Sequence, residues 1–333
     1  MREPGFWWRP SGAEAALLQP FAAIYGTVAA ARMRRAGQRV GIPVLCVGNL
    51  TLGGAGKTPT ALAVGKLLAE AGARPFFLTR GYGGRLRGPV TVDPGRHNAL
   101  DVGDEPLLLA RIATTVVARD RVAGAEAAVG AGAGVVVMDD GFQSPWLAKD
   151  LSILVVDGER GIGNGRVFPA GPLRAPLAEQ IARAQAVVAI GGSDAGLEPV
   201  AAARARGIPV LTARLAPDPA GLAALAGRPV LAFAGIAHPD KFYATLVEAG
   251  IDVRAKRSFA DHHSYSYVDA RSLLAEASAW GLTLATTEKD LVRLAGRLDL
   301  AELAARTRAL PVTLMVDDAD GFAGLVRRAA GRA

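Results

Sequence analysis

Short runs rich in Val, Ile and Leu alternate with Ala-rich stretches along most of this chain. Strands buried on both sides read as continuous apolar runs, so the alternation points to a parallel sheet with helices on both faces. The pattern predicts strands at residues 43–47, 75–78, 115–118, 135–138, 152–156 and 186–190, with helices between several of them. Binding groups in such a sheet collect at the carboxyl ends of the strands. Around residues 216–228 the sequence turns rich in Pro, Ala and Gly, and a second series follows, with strands at 230–234, 252–258, 283–286 and 312–316 and helices from Asp240 and Val268. The expectation is an α/β chain in three parts: an N-terminal helix within 1–39, a larger domain at 40–225 and a smaller α/β domain at 226–333.

The N-terminal part has a different pattern. Residues 13–31 are largely apolar (Leu17, Leu18, Phe21, Ile24, Tyr25, Val28), but Glu14, Gln19 and Pro20 interrupt the run, which speaks against a clean membrane span. Trp7 and Trp8 precede it and Arg32, Arg34, Arg35 and Arg39 follow it, a pairing of aromatic and cationic anchors that favours an amphipathic helix lying at a membrane interface. The alternative is a helix packed on the protein's own core. Glu3, two prolines and two tryptophans within the first ten residues do not resemble the basic segment of a secretory signal, which places the chain inside the cell.

Composition changes this picture little. The 333 residues are half hydrophobic, enough for two cores, and 38 Lys and Arg against 31 Asp and Glu give a net charge of +7 that suits anionic partners. A single cysteine, Cys46, excludes an internal disulfide, and its place in a predicted strand marks it as a buried structural thiol. No internal repeat is present, and only 6% of residues are aromatic, with no basic stripe interleaved with aromatics, which argues against a nucleic-acid partner. Nothing in the sequence calls for an obligate protein partner.

The chemistry begins at residues 48–58, Gly-Asn-Leu-Thr-Leu-Gly-Gly-Ala-Gly-Lys-Thr, which follow one predicted strand and run into a helical pattern. This is the setting of a phosphate-binding loop, and it makes the sheet a P-loop nucleoside triphosphatase-like one. Thr51, Leu52, Gly53, Gly54, Ala55 and Gly56 would turn backbone N–H groups around ATP phosphates, Lys57 would reach the β and γ phosphates, and Thr58 would ligate Mg²⁺. Thr51 stands where the usual pattern has its first glycine. The apolar run at 135–138 then delivers Asp139 and Asp140, read as the Walker B carboxylates, one of which holds Mg²⁺ directly or through water.

Further motifs narrow the class: TRGYGG at 79–84, VGDEP at 102–106, DDGFQ at 139–143, FPAGPLR at 168–174, AGIAHPDKF at 234–242, FADHHSYS at 259–266 and TTEKD at 286–290. In this order, and across nearly the whole chain, they resemble the tetraacyldisaccharide 4′-kinases of lipid A synthesis. The resemblance implies ATP-dependent phosphorylation of the 4′-hydroxyl of a glycolipid, tetraacyldisaccharide 1-phosphate, to give lipid IVA, by a two-domain protein at the cytoplasmic face of the bacterial inner membrane. It also implies that Asp104 is the base for the acceptor hydroxyl and that His262 orients or polarises it from the second domain. Taken alone, Asp104 would equally serve as a helix cap.

Arg80, Tyr82, Arg119, Arg121, Gln143 and Arg174 are candidate contacts to phosphate or sugar, with solvated surface the competing reading for the arginines. Lys289 would bind nucleotide or fix the second domain. Two positions depart from the family pattern: Ser144 where a basic or His residue is expected, and Ala175 where an acid is expected. A membrane-bound regulatory ATPase would share the loop and the helix, but leaves the Asp104 and His262 motifs without a role.

Overall fold

The computed structural model describes residues 3–192 and 196–331. The chain opens with a 3₁₀ turn at Gly5–Trp8 and the long helix α1 (Ala13–Met33). A first series runs β1 (Val44–Asn49), α2 (Lys57–Glu70), β2 (Pro75–Thr79), β3 (Val90–Thr91), α3 (Ala99–Val102), α4 (Asp104–Leu109), β4 (Thr115–Val117) and α5 (Arg121–Gly130). It continues through β5 (Val135–Asp139), β6 (Leu151–Asp157), α6 (Leu177–Ile181), β7 (Ala186–Ile190), α7 (Leu197–Arg204) and β8 (Val210–Pro217). A second series follows: α8 (Pro219–Leu225), β9 (Pro229–Ala234), α9 (Pro239–Glu248), β10 (Asp252–Ser258), α10 (Tyr267–Ala279), β11 (Thr283–Thr287), α11 (Glu288–Leu294), α12 (Ala301–Arg306) and β12 (Thr307–Leu310). The chain ends with β13 (Val312–Val316) and α13 (Ala319–Ala329).

Among the described residues the strands form a nine-stranded sheet, in order β13-β8-β7-β6-β1-β5-β2-β4-β3, and a four-stranded sheet, in order β10-β9-β11-β12. The small sheet is parallel throughout, and the large one is parallel except for β3 and β13 at its two edges. Every residue of β1, β2, β4, β5, β6 and β7 is buried, which is why these strands were apolar runs in the sequence. Successive residues point to opposite faces: Val44, Cys46, Met138 and Leu154 pack into one core, while Leu45, Val47, Val137 and Ile153 pack into the other. Cys46 is fully buried, and burial pushes its thiol up to about 11, as a structural role requires. β1 lies between β5 and β6, so the chain winds away from it in both directions and a crevice opens at its carboxyl end.

Two features correct the sequence reading. The strand expected at 312–316 in the second series belongs to the first sheet, where it pairs antiparallel with β8. Phe322 and Val326 of α13 join the same core as Leu68 and Val64 of α2. β8 itself went unpredicted because its exposed and buried positions mix, and β12 because it is short and carries Thr307 and Arg308 among only four residues.

Helix α1 packs on the protein through one face and leaves the other exposed. Its small residues Ala15, Ala22, Gly26 and Ala30 face the protein, with Gly26 against Val167 and Pro176, while Tyr25 meets the ring of Phe168. Its large apolar residues face outward: Leu17 is 77%, Ile24 67% and Phe21 63% exposed. Among the described residues no helix is long and apolar enough to cross a membrane.

Candidate active site

The phosphate loop leaves β1 and enters α2 through Gly56, whose φ of +86° lies in the left-handed region that a side chain would disfavour. A Cβ at Gly56 would also press on the terminal methyl of Ile190 in β7. The start of the loop is tied down from outside: Leu52 N–H donates to Pro172 O at 2.8 Å, and Arg174 N–H donates to Leu50 O at 2.9 Å. From within, the Asn49 amide donates to Thr51 O at 2.8 Å and to Gly53 O at 3.2 Å. Lys57 is buried and donates to Gly53 O at 3.3 Å. Burial lowers its pKa, partly offset by Asp140.

The Walker B carboxylates have different surroundings. Asp139 accepts from the Thr58 hydroxyl at 3.2 Å through Oδ2, while its Oδ1 is buried with no hydrogen-bond partner among the described residues. Burial, with the charges of Glu105 and Asp140 added to it, pushes this carboxyl up to about 7. On Asp140 burial acts the same way but is overcome by Arg174 and Lys57, which hold that carboxyl well below the usual range. Arg174 grips Asp140 with two bonds, of 2.7 and 3.2 Å, and donates a third to Thr51 O at 2.9 Å.

Asp104 begins α4 and is buried. Its Oδ1 accepts from Glu105 N–H at 2.9 Å, but Gly103 holds the cap position and no side chain caps this helix, so Asp104 is not the helix cap. The other oxygen, Oδ2, accepts from Arg293 Nε at 2.7 Å and also from Arg293 Nη2, and lies 3.3 Å from His262 Nδ1. Burial favours the neutral acid, but His262, Arg293 and Lys289 outweigh it and hold Asp104 far below the ordinary carboxylate range. The same ion pair raises His262, against the effect of burial. Lys289 is bonded to Glu105 at 2.6 Å, and the charge of Glu105 is felt by both Lys57 and Asp139. α4 packs against α2, the helix that the phosphate loop enters, which sets the Asp104 group beside that loop.

Among described non-glycine residues, Asp140 (φ +57°) and His262 (φ +54°) are the ones in left-handed backbone. Such a conformation costs on the order of 1 kcal/mol or more and tends to persist where function holds it.

The remaining predicted contacts divide. Tyr82 is 64% exposed, with its ring centroid 5.0 Å from that of His262 in an edge-to-face contact, and so borders the site. Arg121 is buried, donates to Ala118 O at 2.5 Å, leaves Nε without a partner among the described residues, and is coupled by charge to Asp140. Arg80 and Arg119 are exposed. Gln143 is turned to structure: its amide donates to Asn49 O at 2.8 Å and to Gln180 at 2.9 Å.

Residues 14–330 match the family described as tetraacyldisaccharide-1-P 4′-kinase. The chain belongs to that family. It is 57% identical over 329 residues to the tetraacyldisaccharide 4′-kinase of Rhodopseudomonas palustris strain BisB18, covering 98% of this chain and 95% of that one. To the enzyme of the same description from Nitrobacter winogradskyi it is 54% identical over 318 residues, covering 96% and 94%. Among solved structures, LpxK from Aquifex aeolicus, crystallised in complex with ATP, aligns with a TM-score of 0.74 at 27% identity, covering 95% of this chain and 99% of that one.

Within the kinase family pattern, the two departures carry local roles in this chain. Ser144 lends its backbone carbonyl to Lys149 at 2.5 Å, and Ala175 is fully buried with its carbonyl accepting from Gln180 at 2.7 Å. Two residues at the site escaped the sequence reading. Arg293 had one signal, its place three residues after Asp290 on the same face of α11. Glu3 had none: its carboxylate lies against Gly53, where a Cβ would collide with Oε1, and it accepts from Trp8 Nε1 at 2.9 Å and Arg160 at 3.0 Å.

Proposed function

We propose that this chain transfers the γ-phosphoryl group of ATP to the 4′-hydroxyl of tetraacyldisaccharide 1-phosphate, giving lipid IVA, at the cytoplasmic face of the bacterial inner membrane. The observation that carries the proposal is the meeting of Asp104 from α4 with His262 from the other sheet, beside a phosphate loop. A nucleotide switch needs the loop but has no use for a carboxylate and an imidazole brought together from two sheets.

In this reading the backbone of residues 51–56 cradles the phosphates and Lys57 neutralises the β and γ groups. The buried, unpartnered Oδ1 of Asp139 and the Thr58 hydroxyl beside its Oδ2 are hard oxygen donors that fit a divalent cation such as Mg²⁺. Bound there, Mg²⁺ would stabilise charge on the transferring phosphoryl group. Asp140, engaged by Arg174, keeps the loop and the Walker B strand together.

Asp104 takes the proton of the acceptor hydroxyl. A carboxylate offers about four acceptor sites. Arg293 and His262 occupy Oδ2 and Glu105 N–H fills one site on Oδ1, leaving one on Oδ1 for the substrate. Its low pKa suits a reaction in which the hydroxyl gives up its proton late, once it is bonding to phosphorus. His262 then stabilises the arrangement from the side of Oδ2.

The outward stripe of α1 and the exposed Arg32, Arg34, Arg35 and Arg39 at its end support attachment to an anionic lipid surface, where the acyl chains of the acceptor reside. The test is product analysis with the glycolipid in mixed micelles. A product heavier by one phosphate, on the distal sugar, supports the reading; ATP consumption with unchanged glycolipid contradicts it.

A further inference from the structure

Between the two sheets, a buried guanidinium touches the proposed base and the carbonyl that holds the backbone of the imidazole. Arg293, 7% exposed, donates Nε and Nη2 to Asp104 Oδ2, and Nη1 to Gly235 O at 2.6 Å and to Asp290 Oδ1 at 2.8 Å. Gly235 O is also the acceptor for His262 N–H, at 3.0 Å. A single side chain thus fixes the carboxylate from one sheet and the backbone that carries the imidazole from the other. Asp290 holds the arginine from behind: it is fully buried, and it accepts from Gly235 N–H at 2.9 Å, Tyr265 OH at 2.8 Å and Thr287 Oγ1 at 2.6 Å. Each acceptor on this path is met by a donor, and the planar fork of arginine is what allows three acceptors in one plane.

We propose that Arg293 is a positioning residue for phosphoryl transfer: it sets Asp104 and, through Gly235, His262 in the relation that proton transfer from the acceptor hydroxyl requires. The inference rests on the assignment of Asp104 as base. It extends that assignment to a residue of α11 that lies behind the pair, on the side of Oδ2, and does not contact substrate. The geometry explains why a lysine would be a partial substitute. An ammonium keeps the charge beside Asp104 but cannot reach Asp104, Asp290 and Gly235 O in one fixed plane.

The test compares full-length wild type with Arg293→Lys, Arg293→Met and Asp104→Asn, measuring kcat, KM for ATP and the pH dependence of kcat. Arg293→Met is expected to lower kcat about 100-fold with KM for ATP changed less than about threefold. Arg293→Lys is expected to recover about tenfold of that loss, leaving kcat about tenfold below wild type. Asp104 is faced by Arg293 and Lys289 from α11, by His262, and by Glu105 on its own helix, with Asp261 and Asp290 nearby. Taking one cation from this set should move the acidic limb of the pH profile to higher pH, a change that loss of fold alone would not produce. Unchanged kcat and an unmoved limb in folded Arg293→Met overturn the proposal while leaving the base in place, provided Asp104→Asn is inactive. Near-normal kcat in Asp104→Asn overturns the base assignment and the positioning role with it. If Arg293→Met does not fold, Arg293→Lys decides: a kcat about tenfold below wild type supports the proposal, and an unchanged kcat overturns it.

Discussion

The Thr58 hydroxyl donates to Asp139 Oδ2 at 3.2 Å, joining the first turn of the helix after the phosphate loop to the carboxyl end of the strand beside it. The two side chains meet because β1 and β5 are parallel neighbours, with Val47 opposite Asp139. Asp139 keeps a second oxygen buried and unpartnered among the described residues, whereas both oxygens of Asp140 are taken by Arg174. The two carboxylates, indistinguishable in sequence, thereby take different parts.

A carboxyl whose pKa is raised by folding weakens the fold whenever it is ionised. For Asp139, pushed up to about 7, the penalty is absent below about pH 4, grows as pH rises and is complete above pH 7. In metal-free buffer Asp139→Asn is therefore expected to raise Tm relative to wild type, by an amount that increases from pH 5 to pH 8. Adding Mg²⁺ and ATP should raise the Tm of wild type and leave the variant nearly unmoved. Equal Tm values for the two proteins at pH 8 without metal would contradict this.

General-base groups typically contribute 10² to 10⁴ in rate. Asp104→Asn is expected to lower kcat by at least about 100-fold, measured as lipid phosphorylation, with circular dichroism unchanged. His262→Ala should be less severe, because the imidazole acts beside the carboxylate. A folded Asp104→Asn protein with near-normal turnover would remove the base from the account.

How far could this site be read from the sequence? The phosphate loop was legible because its glycines and its strand–loop–helix setting are demanded by stereochemistry, and Asp139 and Asp140 because they follow a wholly apolar run. The strands that escaped notice, β3, β8 and β12, lack such runs, and the return of β13 to the first sheet is a tertiary choice that local pattern does not encode. Arg293 is one of 38 basic residues and becomes visible only once α11 packs against α4. Gln143, expected at the substrate, spends its amide N–H groups on Asn49 O and Gln180, a pairing that local sequence does not encode.

Glu3 sets a carboxylate against Gly53, in the loop assigned to phosphate. Burial raises its pKa, against the pull of Arg160, and one of its oxygens has no hydrogen-bond partner among the described residues. Negative charge at this point opposes a nucleotide. Glu3→Gln is expected to lower the KM for ATP about two- to fivefold with little change in kcat, and an unchanged or higher KM would show that the contact does not compete.

On α1, Leu17, Phe21 and Ile24 present apolar surface outward. Replacing all three with Ser should reduce co-sedimentation with anionic phospholipid vesicles by about tenfold, on the basis of the apolar area removed. Turnover of a short-chain, water-dispersed acceptor should stay within about threefold of wild type. Undiminished vesicle binding would assign the attachment elsewhere.

The most direct measurement is transfer of labelled γ-phosphate from ATP to detergent-dispersed tetraacyldisaccharide 1-phosphate, with and without Mg²⁺, by wild type and Lys57→Ala. The account predicts a labelled lipid that requires Mg²⁺ and falls at least about 100-fold in the variant. Label released only as inorganic phosphate, or lipid labelling that survives loss of Lys57, would contradict it.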